Sequence, residues 1–86
     1  MYLHIGQNIT RLTGEIVGVF DLDNASHGKD TRRLLNRAER DHQLTVIGDD
    51  LPRTFVLLED GNAYLTPISP GTIAKRITTQ EVSQWN

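Results

Sequence analysis

Apolar residues in the first part of the chain occur in short clusters separated by turn-forming residues. Residues 2–5 predict a short strand that ends at Gly6. Residues 15–20 are apolar on both faces, as expected of a buried strand. The segment 8–12 fits either a further strand or a loop. Gly18 lies inside an apolar cluster, which predicts a bulge or the close approach of another backbone.

The middle of the chain changes from a period of two to a helical period. Leu34, Leu35 and Ala38 recur at helical spacing within residues 29–42, which predicts a helix with a narrow apolar stripe. Asp21 and the residues up to 28 are rich in Asp, Asn, Ser and Gly, as is typical of a turn.

Three strands and a second helix are predicted in the last part of the chain. The strands cover residues 44–47, 53–58 and 63–66. The Asp60-Gly61 pair is a hairpin signal between the last two of them. Ser69 is a good N-cap and Pro70 suits the first helical position, so a short C-terminal helix begins there.

These elements predict one α+β domain over residues 1–86. The order β-β-α-β-β-β-α does not alternate strand and helix regularly, so a doubly wound sheet is not expected. We expect a small sheet of short, mainly antiparallel strands with one central helix and one short C-terminal helix.

Composition favours a small soluble protein with no covalent cross-links. The chain has 86 residues, 37% of them apolar, and no Cys, which excludes disulfides and thiolate chemistry. No apolar run approaches the roughly 18 residues that span a bilayer. The first residues lack the basic start and apolar stretch of a signal peptide. We therefore expect a cytoplasmic protein with no membrane contact.

Basic residues are concentrated in the predicted central helix, although the net charge of the whole chain is −2. Arg33, Arg37 and Arg40 follow one another at positions i, i+4 and i+7, on one helix face, and Lys29 and Arg32 flank them. This arrangement fits a stripe that contacts phosphates. It also fits an ordinary solvated helix face, partly neutralised by the acidic residues of the same segment.

The sequence predicts neither catalysis nor a metal or other cofactor. The three His residues lie in different elements without metal-ligand spacing, and no nucleophile has a partner at motif spacing. Asp21 and Asp23 invite a calcium interpretation, but the sixth and twelfth positions of an EF-hand loop counted from Asp21 hold Ser26 and Arg32 instead of Gly and Glu.

The apolar residues are too numerous for the cover that two modest helices provide. The clusters 16–20 and 53–58 cannot all face one core, so we expect part of them to be buried between identical subunits. The predicted interface residues are Val17, Phe20, Phe55 and Arg76, and a charge at Phe20 or Phe55 is expected to give monomers.

Several short blocks resemble the RemA/RemB family of extracellular matrix regulators, closer to the RemB branch. They are YLHIG at 2–6, EIVGVFD at 15–21, RTFVLL at 53–58 and SPGTIAKRI at 69–77, and the resemblance covers nearly the whole chain in order and spacing. It implies a bacterial cytoplasmic protein that forms a ring of identical subunits. In the RemA branch such rings bind DNA through arginines and activate biofilm matrix genes.

The chain departs from that family where DNA contact is expected. Glu15 replaces a basic residue at the start of a conserved strand, and Asp49 and Asp50 replace a basic cluster after the central glycine. Arg53 keeps its charge and fits a contact with DNA or with a carboxylate of a neighbouring subunit, such as Asp49 or Asp50. It also fits an ordinary strand-edge charge that discourages aggregation. The resemblance implies a DNA-binding regulator, and Arg53 and the helix arginines are the residues expected to contact DNA. The departures favour an alternative, a ring scaffold that acts through a protein partner.

Overall fold

The computed structural model describes residues 2–7, 9–23 and 28–84. Its elements are β1 (Tyr2–Gly6), β2 (Ile9–Leu12), a 3₁₀ turn (Thr13–Glu15), β3 (Ile16–Asp21), α1 (Lys29–Arg40), β4 (Leu44–Val46), β5 (Thr54–Leu58), β6 (Ala63–Thr66) and α2 (Pro70–Gln84). This order confirms the α+β prediction, and the segment that fitted either a strand or a loop forms β2. The turn predicted at residues 24–27 lies outside the described residues.

The strands form two sheets. The larger sheet has the order β3-β5-β6-β4, in which β5 is antiparallel to both neighbours and β4 runs parallel to β6. β1 and β2 form a separate antiparallel pair. Mainly antiparallel pairing is therefore confirmed, but the hairpin packs across the larger sheet as a layer of its own.

The central strand β5 is buried on both of its faces. Val56 and Leu58 pack in one cluster with Leu3 and Ile5 of the hairpin and with Ile73 of α2. The alternate residues of β5 face the opposite side of the sheet. There Phe55 and Leu57 form a second cluster with Ala38 of α1. The molecule thus has three layers, with the four-stranded sheet between α1 on one side and the hairpin with α2 on the other.

This layering corrects the expectation that the apolar clusters exceed what one chain can cover. All five residues of β5 are buried within the chain, because the hairpin supplies a cover that the sequence pattern did not reveal. Among the apolar residues of these two clusters, only Val17 on the edge strand β3 stays exposed, at 58%.

β3 contains the irregularity that Gly18 predicts. The pairing with β5 shifts register between Ile16 and Gly18, so Val17 is left without a partner. Phe20 stacks on Phe55 with 5.2 Å between ring centroids. The Phe20 ring also covers Gly18 so closely that a Cβ at that position would lie 2.6 Å from Cε2 of the ring. The glycine therefore makes room for an aromatic stack.

The bounds of both helices differ from those that the apolar pattern predicts. α1 ends at Arg40, two residues before the predicted end, because His42 takes a positive φ of 59° and Gln43 N–H donates to the Ala38 carbonyl at 2.8 Å. Ser69 caps α2 as predicted, since its Oγ accepts the Thr72 N–H at 3.2 Å. α2 then continues to Gln84 and is longer than expected. Over the described residues, neither helix has the length and apolarity needed to cross a membrane.

The hydroxyl of Thr66 joins the two sheets. Thr66 is fully buried on β6, and its Oγ1 donates to the carbonyl of Ile5 on β1 at 2.9 Å. The same oxygen accepts the N–H of Ile68 at 3.3 Å. Because β1 is not part of the larger sheet, this side chain replaces the backbone ladder that would otherwise hold it.

We predict that Thr66→Val lowers the free energy of unfolding by about 2 kcal/mol, because valine keeps the volume but removes the hydroxyl that bonds the buried Ile5 carbonyl and the part-buried Ile68 N–H. Urea unfolding measures the change. Thr45→Val is the matched control, since Thr45 lies exposed on β4 of the same sheet and its substitution is expected to change the free energy by less than about 0.5 kcal/mol. Equal stability of the two variants would contradict the role assigned to Thr66.

Candidate nucleic-acid interface

The outward face of α1 is the most basic surface among the described residues. Its buried side is formed by Thr31 and Ala38, with Leu34 and Leu35 half-buried beside them. At about 3.6 residues per turn, the opposite side carries every basic residue of the helix. These residues are exposed, and with Asn36 they surround one open depression: Lys29, Arg32, Arg33, Arg37 and Arg40. The structure therefore brings together all the helix residues predicted to contact phosphates.

The charges on this face are mostly not neutralised by neighbours. Over the described residues the one ion pair joins Arg40 Nε to Asp41 Oδ1 at 4.0 Å, and both side chains are largely exposed. Such an exposed pair at the distance limit contributes little. Asp30 and Glu39 lie near the two ends of the helix and form no ion pair in that part of the chain. The basic heads are therefore available to an external anion.

Arg53 does not belong to this surface. It is exposed just before β5, where its N–H donates to the Thr66 carbonyl at 2.9 Å and its own carbonyl accepts from Leu22 N–H at 3.0 Å. Its backbone is thus fixed, while its side chain is exposed, as are Asp49 and Asp50 in the preceding loop. Arg53 does not border the depression that the α1 residues surround.

Glu15 lies at the opposite end of the larger sheet from Arg53. Ile16 pairs with Leu58 and Asp21 pairs with Thr54, so β3 runs from the Glu15 end to the Arg53 end. The Glu15 carbonyl accepts the N–H of Glu59 at 2.9 Å, which places it beside the turn between β5 and β6. Glu15 therefore lies on a different surface from Asp49 and Asp50, which precede Arg53 in the loop before β5.

The four residues predicted for a subunit interface differ in their exposure. Val17 is exposed on the edge strand and Phe20 is half-buried beneath it. Phe55 has no exposed surface. A charge at Phe55 would therefore disrupt the core of its own chain and could not report on subunit contacts. The interface itself stays a prediction.

Arg76 lies in the middle of α2 and not in its last turn, because the helix continues to Gln84. From the sequence alone, Arg76 and Lys75 fall in the last turn of a short helix, where cations complement the helix dipole. The length of α2 shows that this explanation is wrong. Arg76 is half-buried, and its Nη1 donates to the carbonyl of His4 at 2.8 Å. The side chain holds β1 against α2 within one chain.

The described residues contain no group of three or more side chains suited to a metal ion. His4 donates from Nε2 to the carbonyl of Gln7, which closes the turn after β1. Asp21 Oδ1 accepts the N–H of Asp23 at 2.9 Å, as in an ordinary Asx turn. His27 and Ser26 lie outside the described residues.

The chain matches no known family model and no curated protein. The resemblance to the RemA/RemB family therefore stays a prediction.

The sequence pattern did not indicate the positions of two residues, Asn36 and Arg11. Asn36 lies on the same strip of α1 as Arg33 and Arg40, and its position three residues after Arg33 is the signal that would have found it. Arg11 extends from β2 to Tyr64, where its Nη2 donates to the hydroxyl at 2.5 Å and its guanidinium carbon lies 5.1 Å from the ring centroid. That contact joins elements distant in sequence, so no local pattern could indicate it.

We predict that Arg76→Ala lowers the free energy of unfolding by about 1 kcal/mol through loss of the hydrogen bond to His4. Lys75→Ala is the matched control, because Lys75 is exposed on the same turn of α2. Thermal or urea unfolding compares the two, and a Lys75 variant as unstable as the Arg76 variant would show that lost helix charge, not the hydrogen bond, is responsible.

Proposed function

We propose that this protein is a bacterial DNA-binding regulator of the RemA/RemB type that acts as a ring-forming homo-oligomer in the cytoplasm. The observation that carries the proposal is the basic outward face of α1. The helix carries five basic side chains and two acidic ones, Asp30 and Glu39, although the net charge of the chain is −2.

Phosphate contact accounts for this concentration of charge better than solubility does. A solvated helix of a small acidic protein needs no single-sign surface, and mixed charges would serve it equally well. Each basic side chain that neutralises a phosphate releases condensed counterions, which drives binding without base recognition. Identical faces repeated around a ring would act together and convert weak individual contacts into strong binding.

Arg53 has a secondary part in this proposal. Its side chain is exposed, but Asp49 and Asp50 accompany it on the same loop and lower the local positive potential. The α1 face carries no comparable acidic neighbours at its centre. We therefore assign the main DNA contact to α1, in contrast to the RemA branch as the resemblance describes it.

The loop at residues 49–51 favours a second candidate function, a ring scaffold that binds a protein partner. Leu51 is 83% exposed beside two exposed carboxylates. An exposed leucine within an acidic loop fits recognition of a basic, partly apolar protein surface better than recognition of phosphates.

We predict that the protein binds mixed-sequence duplex DNA at low salt and releases it as salt rises. The double variant Arg32→Ala, Arg37→Ala is expected to lower affinity and to reduce the slope of log K against log salt by about 2, close to 0.9 for each lost phosphate contact. Fluorescence anisotropy over a salt series measures both quantities.

Lys75→Ala is the control for removing a cation elsewhere, and it should leave the slope unchanged. If the wild-type protein ignores DNA at low salt while Leu51→Asp abolishes capture of a partner protein, the scaffold function replaces the regulator. If DNA binding survives the double arginine variant and is lost in Arg53→Ala, the contact lies at β5 and not on α1.

The proposed ring gives a further prediction at the edge strand β3. Because Val17 is exposed on the bulge of that strand, Val17→Asp is expected to dissociate the oligomer without unfolding the chain. Light scattering gives the mass, and circular dichroism confirms the fold. Leu51→Asp adds the same charge at another exposed apolar residue and should keep the parent mass. A Val17→Asp protein that keeps the parent mass would remove β3 from the interface.

A further inference from the structure

The residues on the outward face of α1 form an ordered pattern. Lys29, Arg33, Asn36 and Arg40 follow one another at intervals of four, three and four residues, which aligns them in one row along the helix. The row spans about 16 Å at about 1.5 Å of rise per residue. Asn36 is the one uncharged member of this row, and it lies near the middle.

Arg32 and Arg37 lie on opposite sides of that row. At about 100° per residue, Arg32 is displaced to one side of the row and Arg37 to the other. Asp30 and Glu39 occur towards opposite ends of the helix, so residues 32–37 contain no acidic side chain. The middle of α1 thus has a central amide with a cation on each side.

The position of α1 in the fold allows this row to enter a groove. Among the described residues α1 alone covers its side of the larger sheet, because α2 and the hairpin pack in the opposite cluster. A helix with its side chains is about 10–12 Å across. The major groove of B-form DNA is about 12 Å wide and about 8.5 Å deep. A helix that lies alone on one side of the sheet therefore has a diameter and a clearance that allow it to enter the major groove.

The Asn36 side chain has no stabilising role in the part of the chain that the structure describes. Its side chain is exposed and takes part in no hydrogen bond or ion pair there. Asparagine is also a weaker helix former than alanine, lysine or arginine, so helix stability does not favour it in the middle of α1. Its amide has the donor and acceptor that pair bidentately with N6 and N7 of adenine in the major groove.

We propose that α1 enters the major groove of duplex DNA and that Asn36 reads an adenine there, while Arg32 and Arg37 contact the phosphates on either side of the groove. This inference rests on the proposed function, which requires only phosphate contact, and adds base recognition to it. Double-stranded RNA does not fit the same surface, because its major groove is deep and too narrow for side chains to read.

The test is selection of binding sites from a random duplex DNA library by the full chain. The wild-type protein is expected to enrich a site with a fixed adenine, and Asn36→Ala should lose the preference at that position by roughly tenfold or more. Its affinity for unselected DNA and its salt dependence should stay those of the wild type. Because alanine is the better helix former, the variant is expected to fold, and its melting curve checks this.

Arg37→Ala is the matched control. It is expected to weaken binding to selected and unselected DNA alike and to reduce the salt slope by about 0.9, without changing the preferred base. Two outcomes would contradict adenine recognition while leaving the proposed function intact. One is salt-dependent binding that enriches no base, and the other is an Asn36→Ala variant that keeps the wild-type base preference. Equal binding of duplex RNA would exclude groove entry. Absence of DNA binding at low salt would instead overturn the proposed function itself.

Discussion

The burial of β5 on both faces is the constraint from which the rest of the architecture follows. A strand with five consecutive buried residues must be covered on both sides, and each side chain removed from water contributes roughly 1.5–3 kcal/mol when fully buried. α1 covers one side through Ala38 and its half-buried leucines. The hairpin and α2 cover the other through Leu3, Ile5 and Ile73. Without either layer, an apolar face of the central strand would be left in water.

This arrangement also places the packing residues and the charged residues of α1 on different sides of the helix. One side of α1, about a third of its circumference, packs on the sheet. In the described part of the chain nothing packs on its outer side. That side is consequently free to carry charge with no energetic cost to the core. The opposite layer has less freedom, because α2 contacts both the sheet and β1, and Arg76 is engaged with His4. The basic surface therefore lies on α1, the layer whose side chains take part in the fewest contacts that hold the fold together.

The sequence predicted those features that depend on local chemistry. The apolar cluster of β5, the Asp60-Gly61 turn, the Ser69 cap and the irregularity at Gly18 each arise from a few neighbouring residues. Features that depend on distant contacts were not predictable. The hairpin packs as a separate layer because Thr66 and Tyr64 of β6 bind Ile5 and Arg11, residues more than fifty positions away. The same limit applied to the candidate site, where the arginine stripe was visible from helical spacing but the burial of Phe55 depended on its packing against Ala38 of α1.

The attachment of the β1–β2 hairpin has a consequence for the dynamics of the fold. Among the described residues no backbone ladder joins it to the larger sheet, and the polar side chains that anchor it there are Thr66, Arg76 and Tyr64. A segment held in this way can detach as one cooperative unit while β5 and β6 stay paired, so its amide hydrogens exchange with solvent through a smaller opening than those of the central strands. Such an opening uncovers one face of β5 and leaves α1 in place. The contacts of α1 with the sheet lie on the other side of β5 and do not depend on the hairpin.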